Sequence, residues 1–163
     1  MKYVVAFFML LIFNTSASAQ DKPMYLQQRT PPPSVLLLTD STTKWHLKAK
    51  LEKDKPLFIM FFSPECDHCQ HETEALIKNI QKFKGIQIVM ATTMPFGAMK
   101  AFAAQYKLAR YGITVGKDIA YTMPAYYEMK NLPYLAFYDK NKKLISTFEG
   151  SMGIPSILKV FGR

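Results

Sequence analysis

The sequence has 163 residues, a net charge of +9 and 49% hydrophobic residues. This length suits one domain with a substantial core and excludes two domains of ordinary size. The lysines are scattered, without arginine-rich blocks or interleaved aromatic residues, so the charge indicates a solvated basic surface rather than a nucleic-acid-binding one. Acidic partners or lipid head groups are the other partners that such a surface suits.

The first 19 residues have the features of a secretory signal peptide. Lys2 gives a basic start, residues 3–13 are apolar, and Ala17-x-Ala19 is placed for cleavage before Gln20. The apolar stretch is too short to span a bilayer, which needs about 20 residues. We therefore expect cleavage, export to the periplasm or cell envelope, and no stable membrane span afterwards. Cleavage removes one lysine and no acid, so the net charge falls from +9 to +8.

The segment that follows, residues 20–33, is predicted to be a proline-rich leader. It lacks periodicity and contains three consecutive prolines at positions 31–33, which disfavour helix. We expect it to be an extended tether that does not pack on the domain, which is assigned to residues 34–163.

Residues 35–38 then form a candidate strand. Residues 42–53 fit either a short strand followed by a helical turn or a single helix.

A strand, a helix and a second strand are predicted next. Residues 57–62 are apolar without alternation, as in a strand covered on both faces. A helical pattern runs from Cys69 to Phe83 and is ended by Gly85. Residues 86–91 form a second buried strand. The three elements predict a right-handed βαβ unit.

The remaining chain contains a long insert before the sheet resumes. Residues 94–130 are expected to hold an amphipathic helix, a short strand and an aromatic, turn-rich stretch at 121–127, whose aromatic side chains we assign to the core rather than to a binding site. Residues 135–138 and 144–148 read as an antiparallel hairpin. A last helix is predicted after Pro155.

The chemistry is concentrated at the junction of the first buried strand with its helix. The chain's two cysteines, Cys66 and Cys69, lie there as Cys-x-x-Cys. A helix N-terminus favours a thiolate on the first of them, and two thiols at this spacing can form a disulfide. A loop this short stabilises a fold little, so we interpret the pair as a redox couple rather than a structural bridge. The redox-active disulfide Cys66–Cys69 is the only cofactor expected.

Three other functions are possible in principle for residues of these types. Cys66, His68, Cys69 and His71 are borderline or soft ligands in six residues, but a zinc site of this kind needs a second pair far along the chain, so no metal is expected. A single-nucleophile peroxidase needs a proline where Ile59 stands. A non-catalytic interaction module would not require both cysteines.

The order of these elements resembles the thioredoxin fold, an α/β fold with a central mixed sheet flanked by helices, here with an insert before the cis-proline loop. Asn131-Leu132-Pro133-Tyr134 precedes the first strand of the hairpin, where that family carries its cis-proline loop. The resemblance implies a cis Pro133 packed against the active-site disulfide. It also implies that the backbone of Leu132 pairs with the substrate chain.

Within that fold, the export signal, the leader, the insert and Cys-x-x-Cys-x-x-Glu resemble the exported TlpA/ResA-like thiol–disulfide reductases, also called redoxin-domain proteins. The resemblance implies that Cys66 attacks a substrate disulfide and that Cys69 resolves the mixed disulfide. It also implies protein thiols and disulfides as substrates and a membrane electron donor of the DsbD/CcdA kind. Glu72 matches the acid of that pattern.

The chain departs from that pattern at several positions. His68 and Glu74 replace prolines, Glu65 replaces a tryptophan, and Met60 stands where cytoplasmic thioredoxins have a buried aspartate. Without that aspartate, Glu72 or solvent is the candidate proton acceptor, although Glu72 also suits a plain complement to the helix dipole.

The direction of electron flow stays open at this point. A histidine between the cysteines resembles the oxidising DsbA-type motif, whereas two acids, Glu65 and Asp67, disfavour the thiolate. Potentials from about −270 mV to about −120 mV are therefore compatible with the motif. We expect a reductase, with a DsbA-like oxidant or isomerase as the alternative.

Overall fold

The computed structural model describes residues 22–163, so the signal peptide expected at residues 1–19 lies outside the described residues. The described chain forms one sheet in the order β2-β1-β5-β4-β3-β6-β7. The strands are β1 (Val35–Leu38), β2 (Lys44–His46), β3 (Leu57–Phe61), β4 (Gln87–Thr92), β5 (Thr114–Asp118), β6 (Tyr134–Tyr138) and β7 (Leu144–Glu149). The helices are α1 (Met24–Gln28), α2 (Asp67–Lys78), α3 (Phe96–Gln105), α4 (Thr122–Tyr127) and α5 (Ile154–Val160).

The sheet is mixed, as the sequence predicted. β3, β4 and β5 are parallel, whereas β1, β2, β6 and β7 pair with antiparallel neighbours. All five residues of β3 are buried, and so are all six of β4, because helices cover both faces of the sheet centre. The parallel strands all end at one edge, which is where α2 begins.

Two separate hydrophobic clusters fill the two faces of the sheet. One face, called here the redox face, packs α2, α3 and α5 against alternate residues of the strands, including Phe58, Met60 and Phe137. The other, the tyrosine face, packs α4 and Tyr25 of α1 against the opposite set, including Ile59 and Phe61. This separation follows from the period of two in a strand, which sends neighbouring side chains to opposite faces.

The tyrosine face confirms that the aromatic stretch at 121–127 contributes to the core. Tyr126 and Tyr127 are buried, and the hydroxyl groups of Tyr127 and Tyr138 lie 2.6 Å apart. The Tyr126 hydroxyl donates to the Thr30 carbonyl at 2.6 Å. Each of these rings therefore buries its apolar body while its hydroxyl keeps a hydrogen-bond partner. Tyr121, at the start of the stretch, is exposed.

The expectation that the leader is an extended tether is wrong for its described part. Residues 24–28 form the short helix α1, since the prolines flank this turn instead of interrupting it. Pro31 and Pro32 are buried. The Arg29 carbonyl accepts from the Leu144 backbone amide at 2.8 Å, and the Arg29 guanidinium donates to the Leu144 carbonyl. The leader packs on the tyrosine face because it supplies acceptors for the buried hydroxyl groups there.

Two helical assignments are refined by the structure. Residues 44–50 are a short strand followed by a 3-10 turn, which is the first of the two alternatives for this region. The helix after the cysteines ends at Lys78 and is continued by a 3-10 turn at residues 80–83, before Gly85 with φ of 85°.

The close pairing of the β1–β2 hairpin with β5 depends on a glycine. β1 pairs with β5, and Leu38 lies opposite Gly116. A Cβ atom on Gly116 would lie 2.7 Å from the Cβ of Leu36 and 3.3 Å from the Leu37 carbonyl oxygen. Real Cβ atoms do not approach other carbons this closely, so this position requires glycine.

Candidate active site

The two cysteines occupy the first turn of α2, directly after the buried strand β3. Cys66 is the N-cap residue, with extended backbone, and its sulfur accepts a hydrogen bond from the Cys69 backbone amide at 3.3 Å. An N-cap side chain normally accepts from an amide two or three residues later, so the thiol takes the place of a capping hydroxyl or carboxylate. The sulfur therefore lies at the positive end of the helix dipole, with one backbone N–H group directed at it.

The two thiols differ in exposure. Neither forms a disulfide in this structure; Cys66 is partly exposed, whereas Cys69 is fully buried. Burial raises the pKa of the Cys69 thiol far above its ordinary value, and the neighbouring Cys66 raises it further. Of the two thiols, only Cys66 is accessible to a partner in solution.

The cis-proline loop faces the exposed thiol. The Leu132–Pro133 peptide bond is cis, and Pro133 is buried. The Cys66 sulfur lies 4.0 Å from the Leu132 carbonyl oxygen. The structure thus brings together Cys66, Cys69, Leu132 and Pro133, which the resemblance to thioredoxins had named as site residues. Their roles in catalysis stay predictions at this point.

A carboxylate that the sequence analysis did not name holds this loop in place. Glu149, the last residue of β7, accepts from the Lys130 backbone amide at 3.2 Å and from the Asn131 side-chain amide at 2.9 Å. The next residue, Gly150, donates its backbone amide to the Pro133 carbonyl at 2.8 Å. The end of β7 therefore fixes the loop on both sides of Leu132. The only signal for Glu149 in the sequence is that an acid directly follows the strand predicted at residues 144–148.

Glu72 is buried, whereas an acid that only complements the helix dipole would normally be solvated. It follows Cys69 by one turn on the same side of α2 and is 4% exposed. One carboxylate oxygen accepts from the Met152 backbone amide at 3.1 Å, and the other has no hydrogen-bond partner in the described structure. A buried carboxylate oxygen with no partner can accept a proton without first breaking a hydrogen bond.

The remaining residues of the motif point outward. Glu65, Asp67, His68 and His71 are exposed, and the His68 carbonyl accepts from the Ser151 hydroxyl at 3.3 Å. Residues 22–163 contain no group of three or more histidine, cysteine or acidic side chains arranged to hold a metal ion. Met60 is buried in the core of the redox face.

A mixed sheet with a Cys-x-x-Cys at the start of a flanking helix, opposite a cis-proline loop, defines the chain as a thioredoxin-like protein. Its family is established by sequence: residues 30–151 match the AhpC/TSA family, and the chain belongs to that family. With this family and this fold, the chain is an oxidoreductase. No curated protein sequence matches it significantly.

Several solved structures have a similar fold. A secreted disulfide oxidoreductase of Mycobacterium tuberculosis, homologous to E. coli DsbE, is 18% identical, covers 80% of this chain and 95% of its own, and gives a TM-score of 0.66. A putative thiol:disulfide interchange protein DsbE from Chlorobium tepidum is 21% identical over 82% and 90% of the two chains, with a TM-score of 0.64. The exposed lipoprotein thioredoxin Etrx1 of Streptococcus pneumoniae is 19% identical over 78% and 96%, with a TM-score of 0.63.

Proposed function

We propose that the protein is an exported thiol–disulfide oxidoreductase that reduces protein disulfides through Cys66 and Cys69. The observation that carries this proposal is the contrast between the two thiols: one is partly exposed at a helix N-terminus, and the other is buried with its pKa raised. A structural bridge would require no such difference, whereas disulfide exchange requires one attacking and one resolving thiol.

The reaction has two displacement steps. The Cys66 thiolate attacks one sulfur of the substrate disulfide, forming a mixed disulfide and releasing the other substrate sulfur as a thiolate that takes a proton. Cys69 then loses its proton and attacks the Cys66 sulfur. The mixed disulfide breaks, the Cys66–Cys69 disulfide forms, and the second substrate sulfur leaves as a thiolate that is protonated in turn. Two electrons pass from the protein dithiol to the substrate.

The second step needs a proton acceptor inside the site, because Cys69 is buried. Glu72 suits this role: it is one turn from Cys69, it is itself buried, and one of its oxygens has no hydrogen-bond partner in the described structure. Met60 cannot accept a proton at the position where cytoplasmic thioredoxins have their buried acid. Glu72 is therefore the proposed acceptor, in preference to solvent.

Substrate positioning is assigned to the cis-proline loop. The Leu132 carbonyl oxygen lies 4.0 Å from the Cys66 sulfur, and hydrogen bonds from the end of β7 hold the loop on both sides. An extended substrate segment that pairs with the Leu132 backbone would place its cysteine beside the Cys66 sulfur. Backbone pairing accepts many sequences, which suits an enzyme that acts on several protein disulfides.

The location and the electron source follow from the sequence features and from the relatives. The expected signal peptide, together with the secreted and exposed proteins among the structural relatives, supports a site of action in the periplasm or cell envelope. Among the described residues, no helix has the length and apolar character needed to cross a bilayer. A reductase outside the cytoplasm must be recharged with electrons, and a membrane donor of the DsbD/CcdA kind is the proposed source.

The test uses two single variants of residues 20–163 and an insulin-reduction assay. Cys66→Ser is expected to abolish turnover because it removes the attacking sulfur, while Cys69→Ser is expected to accumulate mixed disulfides with the substrate. Full turnover by Cys66→Ser would refute the assignment. The equilibrium reduction potential of the wild-type couple decides the direction: a value near about −270 mV supports a reductase, and one near about −120 mV supports the oxidant alternative.

A further inference from the structure

The fold segregates charge between the two ends of the sheet. At the cysteine end, residues 64–74 contain four acids and no lysine or arginine. The opposite end, called here the basic end, consists of residues 48–55, 82–84 and 139–143 together with Arg163. It holds ten of the chain's 21 lysines and arginines and three of its 12 acids. These segments are far apart in sequence, so the lysines look scattered until the chain is folded.

Hydrogen bonds connect the segments of the basic end into one surface. The Lys142 ammonium group donates to the Glu52 carbonyl at 2.7 Å and also to the Lys55 carbonyl. The Arg163 guanidinium donates to the Lys84 carbonyl at 2.8 Å and to the Lys82 carbonyl at 3.3 Å. The buried Gln87 side chain accepts from the Glu52 amide at 2.8 Å and donates to the Lys50 carbonyl. Lys142 and Arg163 thus join neighbouring segments of the basic end through hydrogen bonds to backbone carbonyls.

The other lysines of the basic end direct their charge outward. Within residues 22–163 a single ion pair is present, between Lys55 and Glu52. Seven further lysines are exposed and belong to no ion pair in this part of the chain: Lys48, Lys50, Lys53, Lys82, Lys84, Lys140 and Lys143. Tyr111, which is 39% exposed, lines the same depression as Lys55 and Lys84.

We propose that the basic end binds anionic phospholipid surfaces and holds the protein with Cys66 facing away from the membrane. The inference does not depend on the proposed reductase function. α2 runs from the cysteines towards the basic end, and its 12 residues alone separate the two by about 18 Å. A protein bound through the basic end therefore leaves its reactive thiol accessible to partners in the aqueous compartment.

The composition of the basic end favours a lipid surface over other polyanions. Nine of its ten cations are lysines, which act as mobile point charges, while its one arginine is engaged with backbone carbonyls. Nucleic-acid surfaces instead combine arginine forks with several stacking aromatic rings. A single partly exposed tyrosine among lysines matches the head-group region, where tyrosine rings and lysine chains are both favoured.

The experiment measures flotation of residues 20–163 with two kinds of vesicle, one of phosphatidylcholine and one of equal parts phosphatidylcholine and phosphatidylglycerol. Binding is expected only to the second kind, and it should be lost in about 1 M salt, where the Debye length is near 3 Å. Absence of binding to the anionic vesicles overturns the proposal. So does binding to heparin or DNA without binding to vesicles, which would assign the basic end to another polyanion.

A charge-removal variant and a matched control place the binding on the basic end. Each lysine near an anionic surface contributes about fivefold to partitioning, so five substitutions are expected to weaken binding about 3,000-fold if all five reach the surface, and about 100-fold if three do. The variant carries glutamine at exposed positions of the basic end: Lys53→Gln, Lys82→Gln, Lys84→Gln, Lys140→Gln and Lys143→Gln. The control removes the same charge elsewhere: Lys22→Gln, Lys44→Gln, Lys100→Gln, Lys117→Gln and Lys130→Gln. Equal weakening in both variants overturns the assignment.

Two further measurements test folding and orientation. Asp54→Asn removes an exposed acid from the basic end and is expected to strengthen binding a few-fold to the anionic vesicles only, whereas apolar surface exposed by misfolding would bind both kinds of vesicle. Unchanged or weaker binding by this variant counts against the proposal. Cys66 of vesicle-bound protein is expected to react with a bilayer-impermeant maleimide at the rate measured without vesicles. Protection of Cys66 on binding would contradict the proposed orientation.

Discussion

The two faces of the sheet are packed from different kinds of side chain. The redox face is built from phenylalanine, methionine and aliphatic side chains, and it places two thiols at the edge of an otherwise apolar core. The tyrosine face is built around hydroxyl-bearing rings, each of which must be given a hydrogen-bond partner. The first face could therefore be specified by local periodicity, whereas the second required partners from the leader and the insert.

The largest effect on stability is expected from removing a buried ring of the tyrosine face. Tyr127→Ala empties a fully buried site on the tyrosine face and is expected to lower the free energy of unfolding by about 3–5 kcal/mol. Insulin reduction per folded molecule should not change, because Tyr127 lies on the face opposite α2. Urea unfolding and the activity assay at low temperature measure the two effects.

The matched control for that variant is Tyr127→Phe, which keeps the ring and removes the hydroxyl group. It leaves the Tyr138 hydroxyl with its longer contact to the Thr30 carbonyl, at 3.4 Å. A loss of about 1 kcal/mol is expected. A loss of activity in either variant at full folding would show that the two faces are coupled.

The second prediction concerns Glu149, which holds the cis-proline loop at the cysteine end of the sheet without a hydrogen bond to either thiol. Glu149→Ala removes the acceptor for Lys130 and Asn131, so the cis-proline loop should lose its fixed position opposite Cys66. We expect kcat/KM for insulin to fall about tenfold, equivalent to about 1.4 kcal/mol of lost positioning. Substrate-independent alkylation of Cys66 should be unaffected.

Glu149→Gln serves as the conservative variant for that experiment. Its amide keeps one acceptor oxygen for the Lys130 amide but presents a second donor to the Asn131 side chain. Partial activity is therefore expected, between the wild type and Glu149→Ala. If the three proteins had equal kcat/KM, Glu149 would have no positioning role.

The smallest expected effect is a pH dependence on the tyrosine face. Asp118 is buried, and burial raises the pKa of its carboxyl above the ordinary value of 3.8, although its carboxylate accepts from the Met123 amide at 2.7 Å. The folded state then binds the proton more tightly than the unfolded state. Asp118 should therefore add stability as the pH falls through its folded-state pKa towards 3.8, and remove it as the pH rises.

Asp118→Asn provides the comparison, since its side-chain oxygen can still accept from Met123 while its titration is lost. Chemical denaturation across the acidic range should show a flatter pH profile for the variant than for the wild type. Parallel profiles for the two proteins would mean that Asp118 does not titrate differently on folding.

These residues also mark how far the sequence alone could go. The run of apolar residues in β3, the spacing in α2 and the position of Pro133 predicted the fold and that Cys66, Cys69, Leu132 and Pro133 lie close together, because each signal is local or belongs to a known family pattern. Glu149 could not be predicted, because Asn131 is 18 residues away in sequence and the pairing depends on the register of β6 with β7. The leader was misjudged for a similar reason: its partners, Tyr126 and Tyr138, lie about 100 residues further along the chain.

Gly116 has a consequence for how this fold can diverge. The neighbouring Lys117 pairs with Leu37 of β1 and carries a side chain, whereas any side chain at Gly116 meets the backbone and Cβ of β1. In evolutionary terms, a descendant that keeps the β1–β2 hairpin has to keep this glycine. One that loses the hairpin is released from the constraint, so the residue at this position should record which descendants still carry it.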